Sequence, residues 1–179
     1  MNKVTVHGKV FKPFINKAMI DERIALLAKQ IDADYGSSKP IFIAILNGSF
    51  VFAADLFRQL SIEAEISFIK LASYKGTSST GNVVTAIGLE ENLNDRHIVI
   101  LEDIIDTGKT LHSFIPELMN RKPASLKIAT FLSKPEALKY PVKADYIGFE
   151  VPKKFVLGYG LDYDGLGRNL PELYELIED

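Results

Sequence analysis

The sequence contains no cysteine, no long apolar segment and no large excess of charge of either sign. Without cysteine the chain can form neither disulfide bonds nor metal sites with thiolate ligands. No apolar run approaches the length of a membrane-spanning helix, and residues 1–10 lack the apolar core of a signal peptide. The net charge is −2 and no basic stripe follows a helix, which argues weakly against nucleic acid as a ligand. We therefore expect a cytoplasmic protein that binds neither a membrane nor nucleic acid.

The composition is that of an ordinary globular protein. The chain has 179 residues, of which 47% are hydrophobic and 25% are charged. This length suffices for one full hydrophobic core, and neither a repeat nor a linker divides it, so we expect a single domain over residues 1–179. The three histidines, His7, His97 and His112, are too scattered to form a set of metal ligands, and we interpret them as structural.

Strand patterns alternate with helix patterns along the chain. Apolar residues at helical spacing predict an amphipathic helix over residues 19–35, stopped by Gly36 and Pro40, and further helices over residues 50–60 and 110–120. Short apolar runs predict strands over residues 41–46, 63–71, 83–89, 97–101, 126–132 and 146–149. The alternation is typical of an α/β fold with a mostly parallel sheet flanked by helices, in which ligands bind beyond the carboxyl ends of the strands.

The most specific motif is an acidic and hydroxyl-rich segment that follows the strand predicted over residues 97–101. The carboxylates Glu102 and Asp103 come first, Asp106 follows two apolar residues later, and residues 107–110 read Thr-Gly-Lys-Thr. Core formation does not require an acidic pair at the end of a buried strand. A turn that opens a helix offers backbone amides and hydroxyls to a phosphate. The carboxylates are suited to binding a ligand that carries several hydroxyl groups or a metal ion.

Gly108-Lys109-Thr110 also matches the end of a nucleoside triphosphate P-loop. That loop needs a glycine five residues before its Gly-Lys-Thr, so that backbone amides can wrap the phosphates. Asp103 occupies that position and would repel phosphates. The P-loop interpretation is therefore excluded.

Residues 102–110 resemble the phosphoribosyl pyrophosphate (PRPP) motif of type I phosphoribosyltransferases, in the form found in the hypoxanthine-guanine phosphoribosyltransferases. The resemblance extends from about Ile41 to Arg168. It implies the type I fold, with a small hood formed by the terminal segments. It also implies transfer of the 5-phosphoribosyl group from PRPP to N9 of hypoxanthine or guanine, giving IMP or GMP and pyrophosphate. Mg²⁺ would be the cofactor and the protein a homodimer or homotetramer.

In the resembled family the acidic pair matching Glu102 and Asp103 contacts the ribose hydroxyls, and the carboxylate matching Asp106 lies beside purine N7, where it acts as a general base. The turn that follows binds the 5′-phosphate. Its residues here are Thr107, Gly108, Lys109 and Thr110.

Two further loops would act on the pyrophosphate and the reacting centre. Asn47-Gly48 can be a simple βα turn or a backbone cradle for pyrophosphate. The family has a non-proline cis peptide before the residue matching Asn47, which is more often Lys or Arg, so contacts here would come from backbone amides. Ser73 and Tyr74 begin a polar loop that would close over the reacting centre and exclude water, with Lys75 as a further anion contact.

The remaining predicted site residues lie in the last third of the chain. Lys134 by itself would be a solvated surface charge and Phe155 a core residue. By resemblance, Lys134 donates to the purine O6, Phe155 stacks on the base and the Val156 backbone reads its edge. Asp162 would bind Mg²⁺ together with the acidic pair, and Arg168 would contact pyrophosphate.

Alternative functions remain open at this point. A phosphoribosyltransferase for adenine or orotate is disfavoured by Lys134 and Phe155, but a preference for xanthine is compatible with both. A regulatory protein that senses PRPP and binds RNA or DNA is a further possibility. Such proteins usually present a basic face or an added DNA-binding domain, and the sequence has neither.

Overall fold

The structure, a computed structural model, describes residues 3–74 and 83–177, without the side chains of residues 72–87. Along these residues the elements follow in the order β1 (Val4–Val6), β2 (Lys9–Ile15), α1 (Lys17–Tyr35), β3 (Ile41–Leu46), α2 (Phe50–Gln59), β4 (Glu65–Tyr74), β5 (Val83–Ile87), β6 (His97–Ile105), α3 (Lys109–Asn120), β7 (Ser125–Ser133), β8 (Tyr146–Glu150), β9 (Val156–Leu157) and β10 (Leu173–Leu176).

The central sheet has the strand order β5-β4-β3-β6-β7-β8. Strands β4, β3, β6, β7 and β8 are parallel, and β5 pairs antiparallel with β4 at one edge. This arrangement confirms the predicted α/β fold with a mostly parallel sheet. None of the helices within the described ranges is both long and apolar enough to cross a membrane.

Helices cover both faces of the central sheet. Successive side chains of a strand point to opposite faces, so Phe42 and Ala44 of β3 pack in one cluster with α1 and α2. Ile41, Ile43 and Ile45 pack in a second cluster with α3. Because both faces are buried, the strand is apolar at every position, which is why it could be predicted from sequence.

A second, antiparallel sheet of order β1-β2-β10-β9 is built from the two ends of the chain. Its small core contains Phe11, Leu157 and Tyr174. Glu175 is buried in this sheet and binds Lys154 and Lys12 at 2.9 and 3.0 Å. The hood that the resemblance implied is thus confirmed, although sequence periodicity had predicted none of its strands.

Several element boundaries differ from the predicted ones. Strand β6 continues to Ile105 rather than ending at Leu101, because its ladder with β7 continues through the pairing of Ile105 with Ser133. The acidic pair therefore lies within the strand. Strand β4 likewise extends to Tyr74 through its pairing with β5, so the prediction that the polar loop begins at Ser73 was wrong.

Candidate active site

Three loops that carry predicted site residues meet at the carboxyl edge of the central sheet. Asn47-Gly48 follows β3, residues 106–108 follow β6 and Lys134 follows β7. These strands are neighbours in the sheet and parallel to one another, so their carboxyl ends open onto one space.

The turn after β6 forms a small cavity at the beginning of α3. Backbone amides of Lys139 and Tyr140 donate to the Thr107 carbonyl at 3.0 and 3.1 Å and hold the turn in place. Gly108 caps the helix with a φ of 79°, a conformation that favours glycine. The cavity has a volume of about 80 Å³ and is lined by Glu102 and residues 104–111. The N-terminal amides of a helix attract anions, so this cavity can accept a phosphate group.

The acidic pair is held in a desolvated environment behind this turn. Asp103 Oδ1 accepts the Ile104 amide at 2.9 Å, whereas the buried Oε2 of Glu102 has no hydrogen-bond partner among the described residues. Burial, reinforced by the Asp103 carboxylate, raises the pKa of Glu102 well above its ordinary value. Burial also raises the pKa of Asp103, against the opposing effect of the Ile104 amide. A cationic or hydroxyl-bearing ligand would supply the partner that Glu102 lacks.

The loop after β3 lies directly against this pair. The Leu46–Asn47 peptide is cis, as the resemblance implied. A Cβ placed on Gly48 would lie 1.5 Å from Asp103 Oδ2. The Ser49 hydroxyl donates to the Ile45 carbonyl at 2.6 Å and secures the loop from behind. The Asn47 side chain is exposed.

A second, larger cavity of about 230 Å³ brings together residues that the sequence separates by up to sixty positions. Its lining consists of Asp103, Ile104, Asp106, Lys134, Phe155, Val156, Leu161 and Asp162. Within it, Lys134 Nζ lies 3.7 Å from Asp106 Oδ2. The Lys134 side chain is 10% exposed, so the surface interpretation of this lysine was wrong. The Lys134 amide donates to the Ile105 carbonyl at 2.9 Å, which places the residue beside β6.

Phe155 presents a partly exposed ring to this cavity. Its side chain is 44% exposed, and its ring meets Tyr163 edge-on at 5.4 Å and Phe11 at 6.2 Å between centroids. The core interpretation of Phe155 was therefore wrong, whereas a stacking surface for a planar ligand fits this exposure. Sequence reasoning missed the support from Phe11 and Tyr163.

Asp162 and Arg168 form a close ion pair at the rim of the cavity. Asp162 Oδ1 lies 2.7 Å from Arg168 Nη2, and Asp162 Oδ2 accepts the Gly165 amide at 2.7 Å. Arg168 Nη1 donates to the Gly160 carbonyl at 2.7 Å. Arg168 also lines a third cavity of about 490 Å³, beside Phe50 and Tyr159.

Some predicted residues cannot be placed against the others. The backbones of Ser73 and Tyr74 end β4, but their side chains lie outside the described part of the chain, as does Lys75. In residues 3–74 and 83–177, no group of three or more histidine or acidic side chains is arranged to hold a metal ion. The orphaned Glu102 Oε2 near Asp103 is nevertheless compatible with a cation whose remaining ligands come from substrate and water.

Comparison with known proteins shows to which family the chain belongs. The sequence profile described as "Phosphoribosyl transferase domain" matches residues 16–164. A hypoxanthine-guanine phosphoribosyltransferase of Aquifex aeolicus is 38% identical over 97% of this chain and 98% of its own. The chain belongs to the hypoxanthine-guanine phosphoribosyltransferase family.

Other members of the family are similar to the same degree. A hypoxanthine-guanine-xanthine phosphoribosyltransferase of Tritrichomonas foetus is 40% identical over 91% of this chain and 90% of its own. The crystal structure of a hypoxanthine-guanine phosphoribosyltransferase from Bacillus anthracis superposes with a TM-score of 0.86 at 36% identity, covering 93% of this chain and 98% of that one. The type I phosphoribosyltransferase fold expected from the sequence is therefore confirmed.

Proposed function

We propose that this protein is a purine-salvage transferase that moves the 5-phosphoribosyl group of PRPP to N9 of hypoxanthine or guanine. The observation that carries the proposal is the cavity of about 230 Å³ in which Lys134, Asp106 and Phe155 face one space beside the acidic pair. In the reaction the bond from the ribose C1′ to pyrophosphate breaks, and pyrophosphate leaves with the electron pair. The bond from N9 to C1′ forms, giving IMP or GMP.

Lys134 selects the acceptor base. An ammonium group has three donors and no acceptor, so it pairs with the O6 of hypoxanthine or guanine and not with the 6-amino group of adenine. The low exposure of Lys134 means that a mismatched base leaves the cation without a water partner. Phe155 supplies the stacking face, and the Val156 backbone reads the edge of the base.

Asp106 handles the purine proton. Its Oδ2 lies 3.7 Å from Lys134 Nζ, so the cation that orients O6 also lies close to the carboxylate that accepts or shares the proton at N7. General-base assistance of this kind contributes about 10²–10⁴-fold to a rate.

Backbone groups hold the ribose phosphate and the leaving group. Thr107, Gly108, Lys109 and Thr110 bind the 5′-phosphate in the small cavity at the start of α3, and this remote binding energy positions the anomeric carbon. Asn47 and Gly48 bind pyrophosphate through their amides, and Arg168 adds a charge contact. The ribose hydroxyls contact Glu102 and Asp103, whose negative charge stabilises a cationic sugar.

Mg²⁺ is the proposed cofactor. Glu102, Asp103 and Asp162 would hold it, in keeping with the preference of this ion for oxygen ligands, and it would neutralise the charge of the departing pyrophosphate. Ser73 and Tyr74 are proposed to close over the site. The single domain over residues 1–179, the cytoplasmic location and the homodimer or homotetramer also remain proposals.

A preference for xanthine is the second candidate. It is favoured by the similarity to the Tritrichomonas foetus protein, whose name includes xanthine, and by the fact that xanthine also carries O6. A PRPP-sensing regulator has less support, since Asp106, Lys134 and Phe155 line one cavity, where a base could bind.

The test is a panel of initial rates with PRPP, Mg²⁺ and hypoxanthine, guanine, xanthine or adenine, with nucleotides separated by chromatography. We expect IMP and GMP to form, with at least about 10²-fold lower kcat/KM for adenine. Faster turnover of xanthine than of hypoxanthine would support the second candidate. Tight PRPP binding without turnover of any base would favour the regulator.

A further inference from the structure

A turn of unusual backbone conformation joins the purine side of the site to Asp162. Gly158, Tyr159 and Gly160 have consecutive positive φ angles of 102°, 49° and 97°. Positive φ is ordinary for glycine, but it is unfavourable for a bulky residue such as tyrosine. Such a conformation persists only where surrounding contacts stabilise it, so the contacts of Tyr159 must hold the turn in this conformation.

Four contacts hold the Tyr159 turn. The ring is buried, with 4% exposure, and lies 4.6 Å from the Phe131 ring. Its hydroxyl donates to Asp55 Oδ2 at 2.7 Å. The amides of Tyr159 and Gly160 donate to the carbonyls of Leu170 and Arg168 at 2.8 and 3.0 Å. Burial raises the pKa of Tyr159, and the hydrogen bond to the Asp55 carboxylate raises it further. The hydroxyl therefore keeps its proton and remains a donor.

The hydrogen bond between Tyr159 and Asp55 connects the turn to the helix that follows the Asn47-Gly48 loop. Asp55 belongs to α2, the helix that begins directly after the Asn47-Gly48 loop. The turn itself rests on that loop, since a Cβ on Gly160 would lie 2.3 Å from the Gly48 carbonyl oxygen. On its other side, Arg168 donates to the Gly160 carbonyl and pairs with Asp162.

We propose that Tyr159 is a positioning residue that keeps the Asn47-Gly48 loop and the Val156–Asp162 segment at one separation through its hydrogen bond to Asp55. The inference rests on the proposed function, because it assigns these two segments to pyrophosphate on one side and to purine and metal on the other. Neither Tyr159 nor Asp55 needs to touch the reacting atoms for this role.

The decisive comparison is Tyr159→Phe with Tyr146→Phe. Both tyrosines are 4% exposed, and both donate to a carboxylate, Tyr146 to Asp34 Oδ2 at 2.5 Å. Tyr146 is the first residue of β8, the strand at one edge of the central sheet, and it lines none of the three cavities described above. Each substitution removes a hydrogen bond to a charged group, so both variants should lose stability. Only Tyr159→Phe should raise the KM for PRPP, by about tenfold, with kcat changed less than about threefold.

Two substitutions of Asp55 distinguish the effect of its hydrogen bond with Tyr159 from the effect of its negative charge. Asp55→Asn keeps an oxygen acceptor, whereas Asp55→Ala removes it. Both variants lose the weak, exposed contact with Arg58 at 4.0 Å. We expect Asp55→Ala to match Tyr159→Phe, Asp55→Asn to keep a PRPP KM near that of the wild type, and the Tyr159→Phe/Asp55→Ala double variant to be no worse than either single variant.

The outcomes distinguish failure of the inference from failure of the proposed function. An equal PRPP KM in Tyr159→Phe and Tyr146→Phe, or equal effects of Asp55→Asn and Asp55→Ala, would overturn the positioning role. If the wild type makes no nucleotide, the proposed function fails. Calorimetric titration with pyrophosphate and Mg²⁺ then compares the variants without turnover, and about tenfold weaker binding by Tyr159→Phe alone would support the positioning role. If Tyr159→Phe does not fold, the comparison of Asp55→Asn with Asp55→Ala tests the positioning role.

Discussion

Gly48 and Asp103 are in such close contact that no side chain fits between them: a Cβ on Gly48 would lie 1.5 Å from Asp103 Oδ2. The Asn47-Gly48 loop and the acidic pair therefore depend on each other, although the loop follows β3 and the pair lies within β6. Any side chain at position 48 displaces the carboxylate that accepts the Ile104 amide.

Gly48→Ala tests this dependence. We expect the substitution to cost about 1–3 kcal/mol of stability through overpacking and to lower kcat/KM for PRPP by about 10²-fold, because the Asn47-Gly48 loop and the Asp103 carboxylate are both displaced. Thermal unfolding and initial rates measure the two effects. Adding Asp103→Ala should restore the melting temperature and not the activity. If Gly48→Ala has normal activity, the contact is not needed for function.

Asp106→Asn tests the general-base role. The amide is isosteric with the carboxylate but cannot accept the purine proton, so kcat should fall by about 10²-fold or more. The KM for PRPP should stay within about threefold, because the 5′-phosphate turn is unchanged. Steady-state kinetics with hypoxanthine measure both constants. An unchanged kcat would remove Asp106 from this role.

Lys134→Met tests the selection of a 6-oxopurine. Methionine matches the length of most of the lysine side chain and has no donor, so kcat/KM for hypoxanthine and guanine should fall by about 10- to 100-fold. The discrimination against adenine should shrink by a similar factor, whereas the KM for PRPP serves as the internal control. Full retention of the discrimination would show that another group reads O6.

Part of the fold and part of the site could be predicted from the sequence alone. The 41–46 strand and the 102–110 motif could be predicted because each is a continuous run with its own pattern. The hood strands could not, since β1 and β9 have three and two residues and show no periodicity. The hydrogen bond between Tyr159 and Asp55 joins residues 104 positions apart, and no local pattern indicates such a partner. The resemblance, rather than periodicity, indicated the hood and the roles of Lys134 and Phe155.

The buried Glu175 gives the hood a defined pH dependence. The hydrogen bond from Lys154 lowers the pKa of Glu175, and Lys12 adds to this effect. A carboxylate whose pKa is lower in the folded state stabilises the protein at pH values above the pKa that it has in the unfolded state. This stabilisation is lost as the pH falls through the folded-state pKa. Glu175 pairs with Val156 across the hood, so the same carboxylate supports the strand that carries Val156, the residue proposed to read the purine edge.

Glu175→Gln should remove this contribution. At pH 7 we expect the variant to melt about 2–4 °C below the wild type, which corresponds to about 1 kcal/mol for a chain of this size. The difference should shrink as the pH falls below the ordinary glutamate range and the wild-type carboxylate takes up a proton. Thermal unfolding followed by circular dichroism at several pH values provides the measurement. A difference that stays constant with pH would contradict the assignment.

Phosphoribosyl transfer to hypoxanthine can be observed directly by ³¹P NMR of the wild-type protein with PRPP, hypoxanthine and Mg²⁺. We expect the PRPP signals to disappear while IMP and pyrophosphate appear in equal amounts, and PRPP to stay intact when hypoxanthine is omitted. Unchanged PRPP in the complete mixture, or pyrophosphate release without IMP, would contradict the proposed transfer.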